Sequence, residues 1–113
     1  MAGNISITKA EGTWVVRAGG AVLGESTDAL RLEEDGYPFV IYFPRGDIAM
    51  AFLDDSNTTT TCPHKGQARY YSIQTKSVTL ADAAFSYDDP IKDVSDIAGH
   101  IAFLHEGVTV ERV

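Results

Sequence analysis

A chain of 113 residues, 44 % of them hydrophobic, is long enough for one compact core and reads as one globular domain over residues 1–113. Nine basic residues against sixteen acidic ones give a net charge of −7, which argues against nucleic acid as a partner, because that binding is dominated by phosphate neutralisation. One cysteine excludes a disulfide framework, the start Met1-Ala2-Gly3-Asn4 lacks the basic and apolar regions of a signal peptide, and no apolar run approaches the roughly 20 residues that span a bilayer, so a cytoplasmic protein off the membrane is expected.

Alternation dominates the chain. Ile5 and Ile7 alternate with polar neighbours, and the apolar runs Trp14-Val15-Val16 and Ala21-Val22-Leu23 flank Gly19-Gly20, which predicts a hairpin. Ala29, Leu30 and Leu32 suggest another extended piece before an acidic turn from Glu33 to Gly36. Pro38 to Phe43, rich in aromatic and β-branched residues, is the most strand-like run, and Pro44 ends it. Asp47 is placed to cap a short helix through Ile48, Met50, Ala51 and Leu53, and Asp54 to Asn57 read as a polar turn.

Thr58 to Thr61 lead in extended form into Cys62. Ala68 to Gln74 predicts a strand with Tyr70 and Ser72 on one face and Tyr71 and Ile73 on the other. Val78 to Leu80 and Ala83 to Tyr87 are two further strands, Val94 to Ala98 one helical turn ended by Gly99, and His100 to Leu104 with Val108 to Val113 a closing hairpin. Many short strands with one or two short helices predict a mainly β domain of antiparallel sheets.

The densest chemistry is Cys62-Pro63-His64-Lys65-Gly66, reactive side chains in a loop on a strand scaffold. A thiol is nucleophilic as thiolate, which Lys65 or a protonated His64 would favour; equally, a single cysteine serves as a small buried hydrophobe. Metal is not expected, since a structural zinc site wants four cysteine or histidine ligands and Cys62–His64 is one weak pair, with His100 and His105 far along the chain. No cofactor is expected either. Lys65-Gly66 is not a phosphate loop: position 60 is Thr, and Gly66 stands where Ser or Thr must follow the lysine.

Lys65 can nonetheless hold an anion as a point charge, or be a solvated turn lysine. Tyr42, Tyr70 and Tyr87, from three strands, offer apolar walls with hydrogen-bonding tips, or fill the core. Arg45 and Asp47 flank the end of the Tyr42 strand, as contacts to a ligand or as a surface ion pair or helix cap. Glu25 and Asp82 have no spacing that ties them into an acid–base pair.

Tyr42-Phe43-Pro44-Arg45 with Asp47, Thr61 to Gly66 with Ala68, Tyr70 and Ser72, Asp82 to Tyr87 with Pro90, and Ile97 to Phe103 together resemble, in order and spacing, the family called domain of unknown function 427. The resemblance runs from about Val15 to Val110. It implies a fold similar to the β-tent, small coiled antiparallel sheets shared with methionine sulfoxide reductase B and the thalidomide-binding domain of cereblon. Several of those relatives hold zinc between Cys-x-x-Cys pairs; this chain has none, so packing alone would hold it.

The family is also labelled a nucleotidyltransferase domain, but the carboxylate cluster that would hold magnesium against a triphosphate is not evident in the sequence. Carried over residue by residue, the resemblance points to Tyr42, Arg45, Asp47, Cys62, Lys65, Tyr70 and Tyr87. His64 stands where the family usually has Tyr or Phe, and Phe85 where it usually has Trp.

Two functions follow. The first is a small-molecule pocket, binding or catalytic, with the 62–66 loop at its mouth, Tyr42, Tyr70 and Tyr87 as walls, His64 as a further contact, and Lys65 with Arg45 as anion contacts; Cys62 and Lys65 are the candidate catalytic pair. The second is a non-catalytic interaction module, or a homodimer, using the same loop. A third, plainer possibility is that Pro63 and Gly66 only shape a turn while Cys62 and Tyr70 fill the core.

Overall fold

The structure, a computed structural model, describes residues 4–113; Met1 to Gly3, on which part of the leader-peptide expectation rests, lie outside the described residues. Strands follow one another as β1 (Ile5–Lys9), β2 (Trp14–Ala18), β3 (Ala21–Ser26), β4 (Leu30–Glu34) and β5 (Val40–Tyr42), then β6 (Leu53–Cys62), β7 (Gly66–Gln74), β8 (Thr79–Ser86), β9 (Ala102–Phe103) and β10 (Val108–Arg112). They form three antiparallel sheets, ordered β1-β4-β5, β10-β2-β3 and β6-β7-β8-β9. The mainly β architecture of small antiparallel sheets is as expected. The helical segments are short 3-10 turns at Arg45–Asp47, Met50–Phe52 and Lys92–Ile97.

The Gly19-Gly20 hairpin joins β2 to β3 as predicted, both glycines taking the positive φ such a turn needs. Several boundaries differ from expectation, each for a tertiary reason. The Pro38–Phe43 run pairs as a strand only over Val40–Tyr42; Phe43 instead exchanges backbone hydrogen bonds of 2.8 Å with Ile101, stitching the first sheet to the third.

Asp47 caps no helix. It sits inside the first 3-10 turn and accepts a 2.6 Å hydrogen bond from Ser26 Oγ. A regular helix over 48–53 is replaced because Ile48 bridges to Gly24 and Ala49 N–H donates to Leu23 O, pulling the backbone against β3. Gly24 permits this approach, since a Cβ there would lie 2.6 Å from the Asp47 carbonyl oxygen.

Asp54 to Asn57 are strand, not turn: β6 runs through them, with its register against β7 broken between Asp55 and Thr59. The two strands expected over 78–87 are one, β8, kinked near Asp82, whose φ of 50° is stabilised by Ser56 and Thr58 hydroxyls donating to its carboxylate at 2.5 and 2.8 Å. The expected closing hairpin is split, because β9 pairs with β8 while β10 crosses to β2.

The four-stranded sheet feeds two hydrophobic clusters, one from each face. Along β7 the side chains alternate as predicted, and the pairings Tyr71–Ala84–Phe103 and Tyr70–Phe85–Ala102 carry the alternation across the sheet. Tyr71, Ile73, Ala84 and Phe103 join Val16, Leu23, Phe43 and Ile101 in the first cluster. Ala68, Phe85, Tyr87 and Ala102 join Leu32, Tyr42, Val94 and Ile97 in the second, with Cys62 and Tyr70 packed against it.

Candidate functional site

The Cys62–Gly66 segment is the tight turn of the β6–β7 hairpin. Cys62 pairs with Gly66, Lys65 N–H donates to Cys62 O at 3.2 Å, and Gly66 takes a φ of 113° that other residues adopt only with strain. Ile91 N–H donates to Lys65 O at 2.8 Å and pins the turn to the segment before the last 3-10 turn. Cys62 ends its strand on the face that carries Ala68, Tyr70 and Phe85, so it points toward the second cluster, half-buried.

Between this turn and the β4–β5 strands lies a cavity of about 570 Å³. Its inner walls are Leu32, Tyr42, Phe85 and Tyr87, all buried. Its rim is Tyr37, Phe39 and Leu104, exposed by 68, 43 and 75 %. Cys62, His64, Lys65 and Glu34 supply the polar and reactive part of the lining. Phe85 is the hub of the aromatic wall: its ring meets Tyr42 and Tyr87 edge-on at 6.2 and 6.0 Å and Tyr70 tilted at 5.7 Å. No indole N–H reaches the cavity from position 85.

The charged pair at this site is Lys65 and Glu34, 3.0 Å apart, with side chains only 13 and 11 % exposed. Lys65 Nζ also lies 3.5 Å from Cys62 Sγ. Burial works against the Lys65 charge, but the hydrogen bond it donates to Glu34, with Cys62 and Tyr87 beside it, holds its pKa above the ordinary lysine value. Lys65 is therefore a cation at neutral pH, not a free amine.

Burial pushes the Tyr42 phenol far up, and the negative forms of Tyr87, Cys62, Glu34 and Tyr70 push the same way. Burial raises Tyr87 too, against the opposing pull of Lys65. Both phenols are neutral donors at neutral pH.

The hydroxyls of the tyrosines divide sharply. Tyr71 Oη accepts from Arg45 at 3.2 Å, and Tyr70 Oη bonds Thr60 Oγ1 at 3.1 Å on an exposed surface. Tyr42 and Tyr87 make no side-chain hydrogen bond among the described residues. No buried side-chain polar atom there is both sealed and unpartnered, so the Tyr42 hydroxyl, on a residue 1 % exposed, opens onto the cavity it lines.

Of the residues singled out in the sequence, the structure thus gathers Tyr42, Cys62, His64, Lys65 and Tyr87 around one cavity, with Tyr70 behind Phe85. Arg45 and Asp47 lie apart from it. Arg45 reaches Asp88 at 3.3 Å and the Tyr71 hydroxyl, and Arg69 joins the same Asp88 at 3.3 Å, so this cluster belongs to the other face of the sheet. Asp47 is occupied by Ser26. Among the described residues no three His, Cys, Asp or Glu side chains are grouped to hold a metal ion.

Glu34 was missed by sequence reasoning, which placed it in an acidic turn. The signal was present: Leu30, Leu32 and Glu34 alternate, and with period two a carboxylate two residues beyond Leu32 shares its inward face.

The family model for the domain of unknown function called DUF427 matches residues 6–113. The chain belongs to the DUF427 family. No curated protein matches it. In this DUF427 chain three of the segments that carried the resemblance contribute to the cavity lining, the Tyr42 strand, the Cys62–Gly66 turn and the Phe85–Tyr87 segment, while Ile97 to Phe103 lie outside it. Among the described residues no helix is long and apolar enough to cross a membrane.

Proposed function

We propose that this DUF427 domain is a cytoplasmic receptor for a small molecule, held in the cavity between β4–β5 and the Cys62–Gly66 turn. One observation carries the reading: a buried tyrosine, Tyr42, presents an unpartnered neutral hydroxyl to a mostly apolar space. Cavities of roughly 300–1,000 Å³ with apolar walls and a few converging polar groups are how proteins hold ligands of drug size. Lys65, already paired with Glu34, fits a positioning charge better than an amine nucleophile. A covalent role for Cys62 would draw on the Lys65 ammonium 3.5 Å from its sulfur.

Cys62 is the sole cysteine and lines the cavity, so it reports on occupancy. In a screen of small uncharged and charged metabolite-like compounds, a ligand is expected to raise the melting temperature and to slow iodoacetamide labelling of Cys62 in parallel. A ligand at 100 times its Kd adds about 2.7 kcal/mol to stability. Stabilising compounds that leave the labelling rate unchanged would place binding elsewhere and overturn the reading.

A second reading is favoured by the rim. Tyr37, Phe39 and Leu104 form an exposed apolar collar that would suit a protein partner or a second copy of the chain. Light scattering over a range of concentrations tests it: a mass that doubles with concentration and reverts in Leu104→Glu supports the homodimer, and a constant monomer mass rejects it.

A further inference from the structure

Resting on the pocket reading above, we infer that the ligand is a neutral carbonyl compound, an uncharged molecule with an apolar body and one carbonyl oxygen seated on the Tyr42 and Tyr87 hydroxyls. Three observations point the same way. The Lys65 charge is matched by Glu34 at 3.0 Å, with both side chains largely withdrawn from water, so the lysine ammonium is already engaged and not open to a carboxylate or phosphate. An incoming anion would have to displace Glu34 or lie beside it. An incoming ammonium fares no better, because the carboxylate it would need is bound to Lys65.

What the site offers without rearrangement is hydrogen-bond donation. Tyr42 and Tyr87 are buried at 1 and 7 % exposure, line the same cavity, and each pack edge-on against the one Phe85 ring, at 6.2 and 6.0 Å. Neither hydroxyl is used by the protein among the described residues. A phenol in an apolar wall donates to a carbonyl oxygen with no charge to desolvate, whereas a carboxylate must leave water for a site whose ammonium is already paired with Glu34. Leu32, Val40, Phe39 and Leu104 then give the body of the ligand an apolar channel from wall to rim.

A matched set of probes tests this: benzylacetone, hydrocinnamate and phenylpropylamine share a phenylalkyl body and differ in carrying a neutral carbonyl, an anion or a cation. Titrations followed by protein NMR at tyrosine ring and Cys62 signals measure weak affinities directly. Benzylacetone is expected to bind at least tenfold more tightly than either charged probe. Tyr42→Phe and Tyr87→Phe are each expected to weaken it about tenfold, while Tyr70→Phe, whose hydroxyl faces Thr60, leaves it unchanged.

Three results overturn the inference in distinguishable ways. If hydrocinnamate or phenylpropylamine binds the cavity as well as benzylacetone, the ligand class is wrong and the pocket stands. If none of the three shifts the cavity signals, the pocket reading falls and takes this inference with it. Retained affinity for benzylacetone in both Tyr42→Phe and Tyr87→Phe also rejects the proposed seat.

Discussion

The two hydrophobic clusters are built from the same sheet and similar residue types, yet the first closes around fully buried side chains with only a groove of about 320 Å³ at Trp14, Ile41 and Phe103 beside it, while the second borders the cavity of about 570 Å³. In the first, Phe43 and Phe103 meet edge-on at 5.9 Å, and Val16, Leu23, Ile73 and Ile101 close around them with no exposure. Its one tyrosine, Tyr71, sends its hydroxyl outward to Arg45. In the second, Tyr42 and Tyr87 carry hydroxyls with no side-chain partner among the described residues, and a largely buried ion pair stands beside them. A core finishes packing when its polar tips can leave; where they cannot, they need a partner, a water or a ligand. The difference lies in where the tips go, not in how apolar the residues are.

The comparison is broken most severely from the filled side. Phe43→Ala should cost about 3–5 kcal/mol, because its side chain is fully buried and its ring packs against Phe103. Chemical denaturation measures the loss. An equal loss from Phe85→Ala would mean that the second cluster is as tightly packed as the first; a smaller one is expected, since Phe85 already borders open space.

Next comes the ion pair. Glu34→Ala leaves the Lys65 ammonium mostly buried without its partner and should cost about 2–4 kcal/mol, whereas the double variant Glu34→Leu/Lys65→Met should recover most of that loss. If the double variant is as unstable as the single, the pair itself, and not the orphaned charge, holds the turn in place.

The pH dependence sharpens the same contrast. Tyr42, Tyr87 and Lys65 all have folded pKa values above their ordinary ones of 10.0, 10.0 and 10.5. The folded state therefore holds these protons more tightly than the unfolded chain does. Their contribution is fully present below about pH 10 and is lost as pH rises through the folded values. Thermal melts from pH 8 to 12 should show a plateau and then an alkaline fall, and Tyr42→Phe should make that fall shallower. An unchanged slope would mean that Tyr42 is not buried as described. At neutral pH the same variant should shift stability by less than about 1 kcal/mol, because its hydroxyl has no side-chain partner to lose among the described residues.

The smallest effect belongs to the exposed cluster on the other face. Arg45→Ala removes a pair with Asp88 whose members are about two-fifths exposed, and should cost less than about 1 kcal/mol. It should leave Cys62 labelling untouched, whereas a faster labelling rate would couple the two faces of the sheet.

Much of this was legible without the tertiary structure. Alternation in Tyr70 to Ile73 assigned the two faces of β7, and Gly19-Gly20 set the first hairpin, because both depend on neighbours in sequence. The resemblance singled out the Tyr42, Cys62 and Tyr87 segments as one group. Less was legible where long-range pairing overrode local preference. Asp54 to Asn57 have turn chemistry but are held as strand by β7, and Val108 to Arg112 left an apparent hairpin to pair with β2.

The sequence by itself determined the class of fold, the alternating faces and the turn that carries Cys62 and Lys65, since these follow from periods and turn residues a few positions apart. Only the tertiary structure decided that Glu34 would neutralise Lys65 from 31 positions away, that Arg45 and Asp47 would be engaged elsewhere, and that Tyr42 and Tyr87 would line one cavity with hydroxyls that meet no side-chain partner among the described residues. The physical reason is that a polar side chain's role is set by the partner it reaches across the fold, and no local pattern states which partner that will be.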